Sequence, residues 1–283
     1  MKQREIAELV KGQRAIDGAG VHLVRVLGRP NVVNFDPFLM LDSFDSHNPA
    51  DYEAGFPFHP HRGIETVTYL IKGEIEHEDS LGNKGAIRNG EAQWMTAGSG
   101  IMHEEMPKAV DDNHMLGFQL WVNLPQKDKM TEPKYFDVTK EKIQVVEEEH
   151  ATVRVLSGEY KDNAHGVDPD YVKVTLLDVD VKPGQSFTFD TKAEDNVFLF
   201  TIEGTAVING QNIDTKTAVR FGEGDTITLI AGDQGLRVIY FGGKPLREPI
   251  AWAGPVVMNT DEELQETFKE LNNGTFIKHN VKN

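Results

Sequence analysis

Two pairs of potential metal ligands, each with one intervening residue, constrain how this chain can fold more than any other feature. The first pair is His59 and His61, and the second is His103 and Glu105. Because alternate side chains of an extended strand share a face, both members of each pair would point in one direction. On neighbouring strands, the two pairs would aim three imidazoles and one carboxylate at a single point. The spacing therefore predicts a metal site built on β-strands.

The segment between the two pairs has the composition of successive β-hairpins. An apolar, β-branched run at 66–71 precedes turn-forming residues at 72–73, and further turns are indicated at 80–85, 90–91 and 97–98. A single His-x-His pair is weak evidence, because exposed strand histidines occur by chance. Two such pairs flanking a run of hairpins favour a metal site inside a small β-barrel.

The set of side chains narrows the choice of metal without fixing it. The chain has no cysteine, so no thiolate competes as a ligand and no disulfide forms. Three imidazoles and a carboxylate suit a borderline divalent ion, and Fe(II), Mn, Ni, Cu and Zn are all chemically admissible.

Motifs along nearly the whole chain resemble the pirin family, the quercetin 2,3-dioxygenase-like bicupins. The combination is highly specific, although each motif is short. The motifs are Gly28-Arg29-Pro30, Asp36-Pro37-Phe38, His59-Pro60-His61-Arg62-Gly63, His77-Glu78-Asp79, Gln93-Trp94-Met95-Thr96-Ala97-Gly98, Gln119-Leu120-Trp121-Val122-Asn123-Leu124, Pro245-Leu246-Arg247-Glu248-Pro249 and Met258-Asn259-Thr260.

The resemblance implies that His59, His61, His103 and Glu105 carry an Fe(2+) ion, with Ni, Cu, Mn or Zn as possible replacements. The sequence departs from the general cupin pattern in two ways. Glu65 lies where most cupins place a ligand carboxylate, and no asparagine follows His103 at the usual offset. Because the pirin pattern uses Glu105 instead, Glu65 becomes a candidate for a structural role or for contact with the ligands.

The resemblance also implies an activity. It is the ring-opening dioxygenation of a flavonol such as quercetin, with Glu105 taking the proton of the 3-hydroxyl group. The alternative is a non-enzymatic, iron-dependent regulator that binds a transcription factor or a metabolic enzyme. Another cupin reaction, such as an isomerisation, also stays open.

Several side chains near the two pairs are candidates for supporting roles. Four apolar residues would line a substrate pocket or belong to the core: Phe56, Phe58, Met102 and Met106. Arg62 and the segment 77–79 would orient the imidazoles or serve in packing.

The composition sets outer limits on partners and location. A chain of 283 residues suits one large or two ordinary domains. Its net charge of −16 argues against direct electrostatic binding to nucleic acid. It contains no apolar run of about 18 residues, and its first residues lack the apolar core of a signal peptide. We therefore expect a cytoplasmic protein that binds no membrane.

The second half repeats the first in outline, which predicts an all-β bicupin of two stacked β-barrels. Gly224-Asp225 and Ala231-Gly232 have the same spacing as Gly90-Glu91 and Ala97-Gly98. We expect a metal-binding cupin at residues 1–140 and a second cupin, with a terminal helix, at 141–283. The repeat offsets place the counterparts of the four ligands at Asp190, Lys192, Arg237 and Ile239. The second barrel is therefore predicted to hold no metal.

The chain ends with one clear helix signal. Thr260 and Glu263 have the spacing of a capping box, and Leu264, Phe268 and Leu271 follow as one apolar stripe. We expect this stripe to pack on the second barrel.

Overall fold

The computed structural model describes residues 1–110, 112–161 and 163–279. Antiparallel β-strands dominate, and the predicted all-β class with a C-terminal helix is confirmed. In chain order the strands are β1 Ile6–Lys11, β2 Gln13–Asp17, β3 Val21–Leu27, β4 Phe38–Ser46, β5 Phe56–His61, β6 Ile64–Lys72, β7 Glu74–Asp79, β8 Lys84–Arg88, β9 Glu91–Thr96, β10 Ile101–Lys108, β11 Met115–Asn123, β12 Lys134–Val138, β13 Gln144–Glu147, β14 Ala151–Ser157, β15 Glu159–Tyr160, β16 Ala164–His165, β17 Thr175–Val181, β18 Ser186–Asp190, β19 Asn196–Ile208, β20 Gln211–Ile213, β21 Thr217–Phe221, β22 Thr226–Gly243, β23 Ala251–Ala253 and β24 Val256–Met258. The helices are α1 Val32–Phe35 and α2 Asp261–Asn273, with 3-10 turns at Arg29–Asn31, Pro49–Asp51, Gln126–Asp128 and Lys140–Lys142.

The chain divides into two compact units, each assembled from three segments. The first, here called the histidine unit, contains Arg14–Arg25, Phe38–Thr139 and the described residues from Leu246 onward. The second, called the apolar unit, contains Met1–Gln13, Val26–Pro37 and Lys140–Pro245. This division differs from a single boundary at residue 140. Strand β1 pairs with β21 of the apolar unit, and the chain after Pro245 returns to the histidine unit.

The larger sheets of the two units have matching strand orders. The histidine unit has the order β12-β9-β6-β11-β4-β3-β2, and the apolar unit has β1-β21-β19-β22-β17-β14-β13. A smaller sheet, β5-β10-β7-β8, completes the histidine unit. In the apolar unit, β18 and β20 pair with the long strands β22 and β19. Each of these long strands therefore makes the pairings that two separate strands make in the histidine unit.

This topology identifies which strands of the apolar unit are equivalent to those that carry the histidines. In the histidine unit, β10 pairs with β5 and places His103 opposite His59. In the apolar unit, the first part of β22 pairs with β18, which places Leu229 opposite Phe187. Both of these apolar side chains belong to the buried core of the apolar unit. They offer no ligand atom for a metal.

The equivalence that the repeat offsets predicted is wrong. Arg237 and Ile239 lie in the later part of β22, which pairs with β17 as β11 pairs with β4. Asp190 ends β18, and Lys192 follows that strand. The matching Gly-acidic and Ala-Gly spacings therefore mark turns that are not equivalent in the two units, because the units divide their strands differently.

Helix α2 begins and ends where the sequence predicts. The Thr260 hydroxyl accepts a hydrogen bond from the Glu263 amide at 3.2 Å, and Gly274 ends the helix with a φ of 70°. The helix packs on the β23–β24 hairpin of the histidine unit, where Leu264 joins the apolar cluster, so the expectation that it packs on the second barrel is wrong. An amphipathic stripe specifies a buried face but not the surface that covers it. No helix among the described residues is both long and apolar enough to cross a membrane.

Candidate metal centre

Strands β5 and β10 bring the two predicted ligand pairs together. They pair antiparallel, with His59 opposite His103 and His61 opposite Ile101. Along β10, burial alternates from residue to residue, and both His103 and Glu105 are buried. The two members of the second pair therefore face the interior together, as the spacing predicts.

Three of the four predicted ligands form one cluster. A ring nitrogen of His59, of His61 and of His103 all lie within 4.8 Å of one another. The three ring centroids are 4.4 to 5.0 Å apart. Glu105 lies two residues beyond His103 on the same strand, and its assignment as the fourth ligand stays a prediction.

Backbone carbonyls fix the orientation of two imidazoles. The Nδ1 atom of His59 lies 2.9 Å from the carbonyl oxygen of Pro57, and that of His61 lies 3.1 Å from the carbonyl oxygen of Pro255. A carbonyl only accepts, so each Nδ1 carries a hydrogen, and in the neutral ring Nε2 then keeps a lone pair. Such outer contacts are how proteins orient ligating histidines.

The two Nε2 atoms face each other at 3.1 Å. When both rings are neutral, with their hydrogens on Nδ1, neither Nε2 can donate to the other, so two lone pairs are in contact. A cation bound to both would remove this repulsion. Two nitrogens at right angles around a metal, each at roughly 2.0–2.1 Å, are about 3 Å apart, so this spacing fits a shared metal.

The third imidazole has unsatisfied nitrogens. His103 is fully buried, and neither of its ring nitrogens has a hydrogen-bond partner among the described residues. A buried polar atom without a partner costs about 1–3 kcal/mol, and such atoms are rare in native proteins. A metal ion would satisfy one of these nitrogens, so the cluster fits a divalent metal.

Burial keeps the imidazoles of His61 and His103 neutral, which is the form that binds metals. Burial, reinforced by the neighbouring His59, lowers the pKa of His61 from its usual 6.5 to about 3. Burial among the other histidines lowers the pKa of His103 well below its usual value. Both rings therefore keep a lone pair for a ligand bond at physiological pH.

Glu105 is held by a row of three polar side chains across neighbouring strands. Thr68 on β6 is flanked in register by Gln93 on β9 and by Gln119 on β11. The Oε1 atom of Glu105 accepts from the Thr68 hydroxyl at 3.0 Å and from the Gln93 amide. Its Oε2 atom accepts from the Gln119 amide at 2.6 Å. A carboxylate has about four lone-pair sites, so one acceptor position on Oε2 is left by the described residues.

An aromatic donor orients one of the two glutamine amides. The Trp121 indole donates to Oε1 of Gln119 at 3.4 Å, which turns the NH₂ group of Gln119 toward the carboxylate of Glu105. The Tyr135 hydroxyl lies 3.3 Å from Oε1 of Gln93 but donates its one hydrogen to the Asp137 carboxylate at 2.6 Å. Both glutamines stand within the family-like motifs that begin at Gln93 and Gln119, but the motifs alone assign them no role. The available signal was a glutamine at a buried strand position.

Residues 77–79 separate into interior and surface groups. His77 is buried, with its Nε2 3.2 Å from the Asp79 carboxylate and its ring stacked on Tyr135 at 4.1 Å. The His77 ring lies 5.4 Å from that of His103, so it packs beside the cluster. Glu78, by contrast, pairs with Lys84 at 2.8 Å on the surface.

The other predicted supporting residues are only partly near the cluster. The Phe56 ring lies 6.4 Å from His59. Met102 and Met106 alternate with the ligands along β10 and are half-buried on its other face, and Phe58 is 47% exposed. Strand alternation therefore removes these three residues from the predicted pocket wall. Glu65 is buried and accepts from the Thr96 hydroxyl at 2.7 Å.

Two antiparallel β-units, one with three histidines converging from paired strands, define the bicupin class of proteins. Family comparison then identifies the chain more closely: it belongs to the pirin family. The Pirin family matches residues 20–122, and the Pirin C-terminal cupin domain matches residues 176–277.

The similar proteins span nearly the full chain. A pirin-like protein of Caulobacter vibrioides is 41% identical, and the match covers 98% of this chain and 100% of that protein. Human pirin is 38% identical over 95% of this chain and 93% of its own length. A crystal structure of quercetin 2,3-dioxygenase from Acinetobacter baumannii has a TM-score of 0.88 and 32% identity, covering 97% of this chain and 98% of that one.

Proposed function

We propose that this protein is an iron-dependent dioxygenase that opens the heterocyclic ring of a flavonol such as quercetin. The observation that carries the proposal is the convergence of three imidazoles, His59, His61 and His103, with lone pairs available for a metal. The 32% identity to a quercetin 2,3-dioxygenase over nearly the whole chain supports the reaction type.

Four side chains of this protein would bind the metal, and one of them would also act as the general base. His59, His61, His103 and Glu105 would hold the metal, with Fe(2+) preferred and Ni, Cu, Mn or Zn as alternatives. Bound there, iron supplies Lewis acidity toward the oxygen atoms of the flavonol and redox chemistry with dioxygen.

Glu105 is the proposed general base. Three of its lone-pair sites are occupied by Thr68, Gln93 and Gln119, which fixes the carboxylate in one position. One site on Oε2 remains, so Glu105 would use it as a metal ligand and, on leaving the metal, as the acceptor of the proton of the flavonol 3-hydroxyl group. The neutral imidazoles of His61 and His103 would direct their lone pairs to the metal, which leaves the carboxyl group as the proton acceptor of the site.

A second candidate function is a non-enzymatic, metal-dependent regulator that binds a transcription factor or a metabolic enzyme. The observation that favours it is a charged surface beside the histidine cluster. Glu76, Glu78 and Glu104 line an open cavity of about 320 Å³ together with Met106, His77 and Lys84. Glu78 pairs with Lys84 at 2.8 Å, and Glu76 pairs with Lys108 at 2.9 Å. Such a charged surface around one apolar side chain suits a protein partner of mixed charge better than a flavonol.

The Glu105→Gln variant separates these functions. Glutamine still offers an oxygen to a metal but cannot accept a proton, so we expect iron to stay bound while flavonol turnover falls by about 10²–10⁴. The measurement is iron content and oxygen consumption on one protein batch, after anaerobic reconstitution with each metal in turn.

Glu104→Gln is the matched control, because this neighbour on β10 points to the other face. It should keep wild-type turnover. If Glu105→Gln loses activity only through lost iron, and excess Fe(II) restores it, then Glu105 is a ligand without a role as base. Fully iron-loaded wild-type protein that consumes no oxygen with any flavonol would favour the regulator.

A further inference from the structure

The C-terminal arm, defined here as residues 251–276, packs against the end of the first ligand strand. The backbone amide of Val257 donates to the carbonyl of Arg62 at 3.1 Å, and Val256 forms a parallel bridge with Arg62. The carbonyl of Pro255 accepts from Nδ1 of His61 at 3.1 Å. The arm therefore contacts both the backbone beside this ligand and the imidazole itself.

Arg62, the residue after His61, binds the helix of the arm. Its side chain is only 2% exposed. One terminal nitrogen donates to the Thr267 hydroxyl at 2.9 Å, and the other lies 2.7 Å from the Glu270 carboxylate. The guanidinium also lies 4.5 Å from the centre of the Phe276 ring and donates to that residue's carbonyl at 3.1 Å. A buried charge with this many partners ties α2 to the ligand strand.

The backbone of the arm also lies close to Gly63, the residue after Arg62. The Lys129 ammonium donates to the carbonyls of Val257 at 2.9 Å and Gly63 at 2.8 Å. Gly63 has a φ of +77°, and a β-carbon there would lie 2.0 Å from the Val257 carbonyl oxygen. The hairpin of the arm thus fits against residues 62–63 only because position 63 lacks a side chain.

We propose that the C-terminal arm positions His61, so that docking of the arm and binding of the metal are thermodynamically coupled. The inference rests on the metal site of the proposed function, but not on the dioxygenase reaction. Without the arm, His61 loses the acceptor that fixes its hydrogen on Nδ1 and its ring orientation. Residues that orient a ligand commonly change metal affinity by about 10–100-fold. Since coupling is reciprocal, the metal stabilises the docked arm by the same factor.

The test uses Zn²⁺, which has no redox chemistry, with a competing chelator to measure the dissociation constant. All proteins carry His47→Ala, because His47 and His114 stack at 3.9 Å on the surface and form, with Asp112, a second group able to bind the ion. In this background, Arg62→Met removes the donors of the guanidinium and keeps an apolar side chain. We expect its dissociation constant to rise by about 10–100-fold.

Two further variants complete the series. Thr267→Val removes one hydrogen bond to Arg62, so we expect a smaller rise in the same direction, and this variant decides the test if Arg62→Met fails to fold. Lys269→Ala is the matched control on the exposed face of α2 and should bind Zn²⁺ like the parent.

Hydrogen exchange distinguishes positioning from general stabilisation. In the parent protein, Zn²⁺ should slow amide exchange throughout residues 255–276, and this zinc-dependent protection should shrink in Arg62→Met. Zinc binding without such protection, or an unchanged dissociation constant in both arm variants, would overturn the inference and leave the metal site standing. A parent protein that binds no Zn²⁺ would overturn both.

Discussion

At the scale of single residues, the candidate centre depends on which nitrogen of each imidazole carries the hydrogen. Strand alternation was enough to predict that His59, His61 and His103 converge. It could not predict their tautomers, because the acceptor that fixes His61 is Pro255, 194 residues further along the chain. Contacts between residues so distant in sequence are set by tertiary packing, which local patterns do not contain.

The hydrogen bonds to Glu105 are a second set of contacts that strand alternation alone could not predict. The spacing placed this carboxylate on the interior face of β10, yet its donors Gln93 and Gln119 lie on two strands that flank β6. Period-two alternation assigns a face to each residue. It does not give the register between strands, so it could not show that these amides meet the carboxylate.

The buried histidines predict an acid-sensitive fold in the metal-free protein. The pKa of His61 is lowered to about 3, and that of His103 is also lowered, whereas an unfolded chain protonates histidine near about pH 6.5. Between these values the unfolded state binds more protons, so stability falls as the pH drops from about 6.5 toward 3. Each imidazole contributes a slope of up to about 1.4 kcal/mol per pH unit.

Urea unfolding at pH 7, 6 and 5 checks this dependence. His61→Gln should flatten the change of unfolding free energy with pH. His165→Gln, at an exposed position, should leave the slope of the parent unchanged. Parallel curves for the parent and His61→Gln would contradict the lowered pKa.

At the scale of elements, strand boundaries decided which parts of the repeat were predictable. The general β-pattern of both halves was recognisable, but β19 and β22 run without a break where the histidine unit has separate strands. Turn residues therefore fall at different places in the two units. Aligning the halves by glycine spacing consequently placed the ligand equivalents on Arg237 and Ile239, rather than on the first part of β22.

The start of α2 gives a second prediction at this scale. Thr260 and Glu263 form a reciprocal capping box, with the Glu263 carboxylate accepting from the Thr260 amide at 3.0 Å. Thr260→Ala removes one half of this arrangement and should lower the free energy of unfolding by about 1 kcal/mol. Chemical unfolding followed by tryptophan fluorescence measures the change in the histidine unit, to which the helix belongs.

Lys269→Ala is a suitable comparison, because the pair between Lys269 and Glu266 is exposed on both sides. Exposed pairs within a helix contribute little, so this variant should change stability by less than about 0.5 kcal/mol. Equal losses in the two variants would show that the cap contributes nothing beyond general helix propensity.

At the scale of the whole molecule, each unit has an apolar cluster of its own, and the candidate metal centre lies in the histidine unit. The core of the apolar unit includes Phe187, Phe189 and Leu229, in the strands equivalent to those that carry the histidines. The histidine unit has its own cluster, which includes Val21, Phe44 and Leu70. The sequence could indicate two barrels from repeated strand patterns. It could not show that β1 pairs in the apolar unit, because a single amphipathic strand fits either sheet edge.

The cluster of His59, His61 and His103 lies in one unit, so a metal bound there is predicted to stabilise the two units unequally. All three tryptophans, Trp94, Trp121 and Trp252, lie in the histidine unit, so their fluorescence reports on it alone, whereas circular dichroism reports on both units.

A metal at 100 times its dissociation constant adds about 2.7 kcal/mol to the free energy of unfolding of the unit that binds it. For a domain of 150–250 residues, this raises the thermal midpoint by roughly 5–10 °C. In the His47→Ala background, which removes the second group able to bind the ion, we expect Zn²⁺ to raise the thermal midpoint seen by tryptophan fluorescence by this amount and to split the circular dichroism transition. His103→Ala should abolish the rise. Equal shifts by both probes would instead mean that the units unfold as one cooperative body, because a metal bound to one unit can then stabilise the other only through shared unfolding.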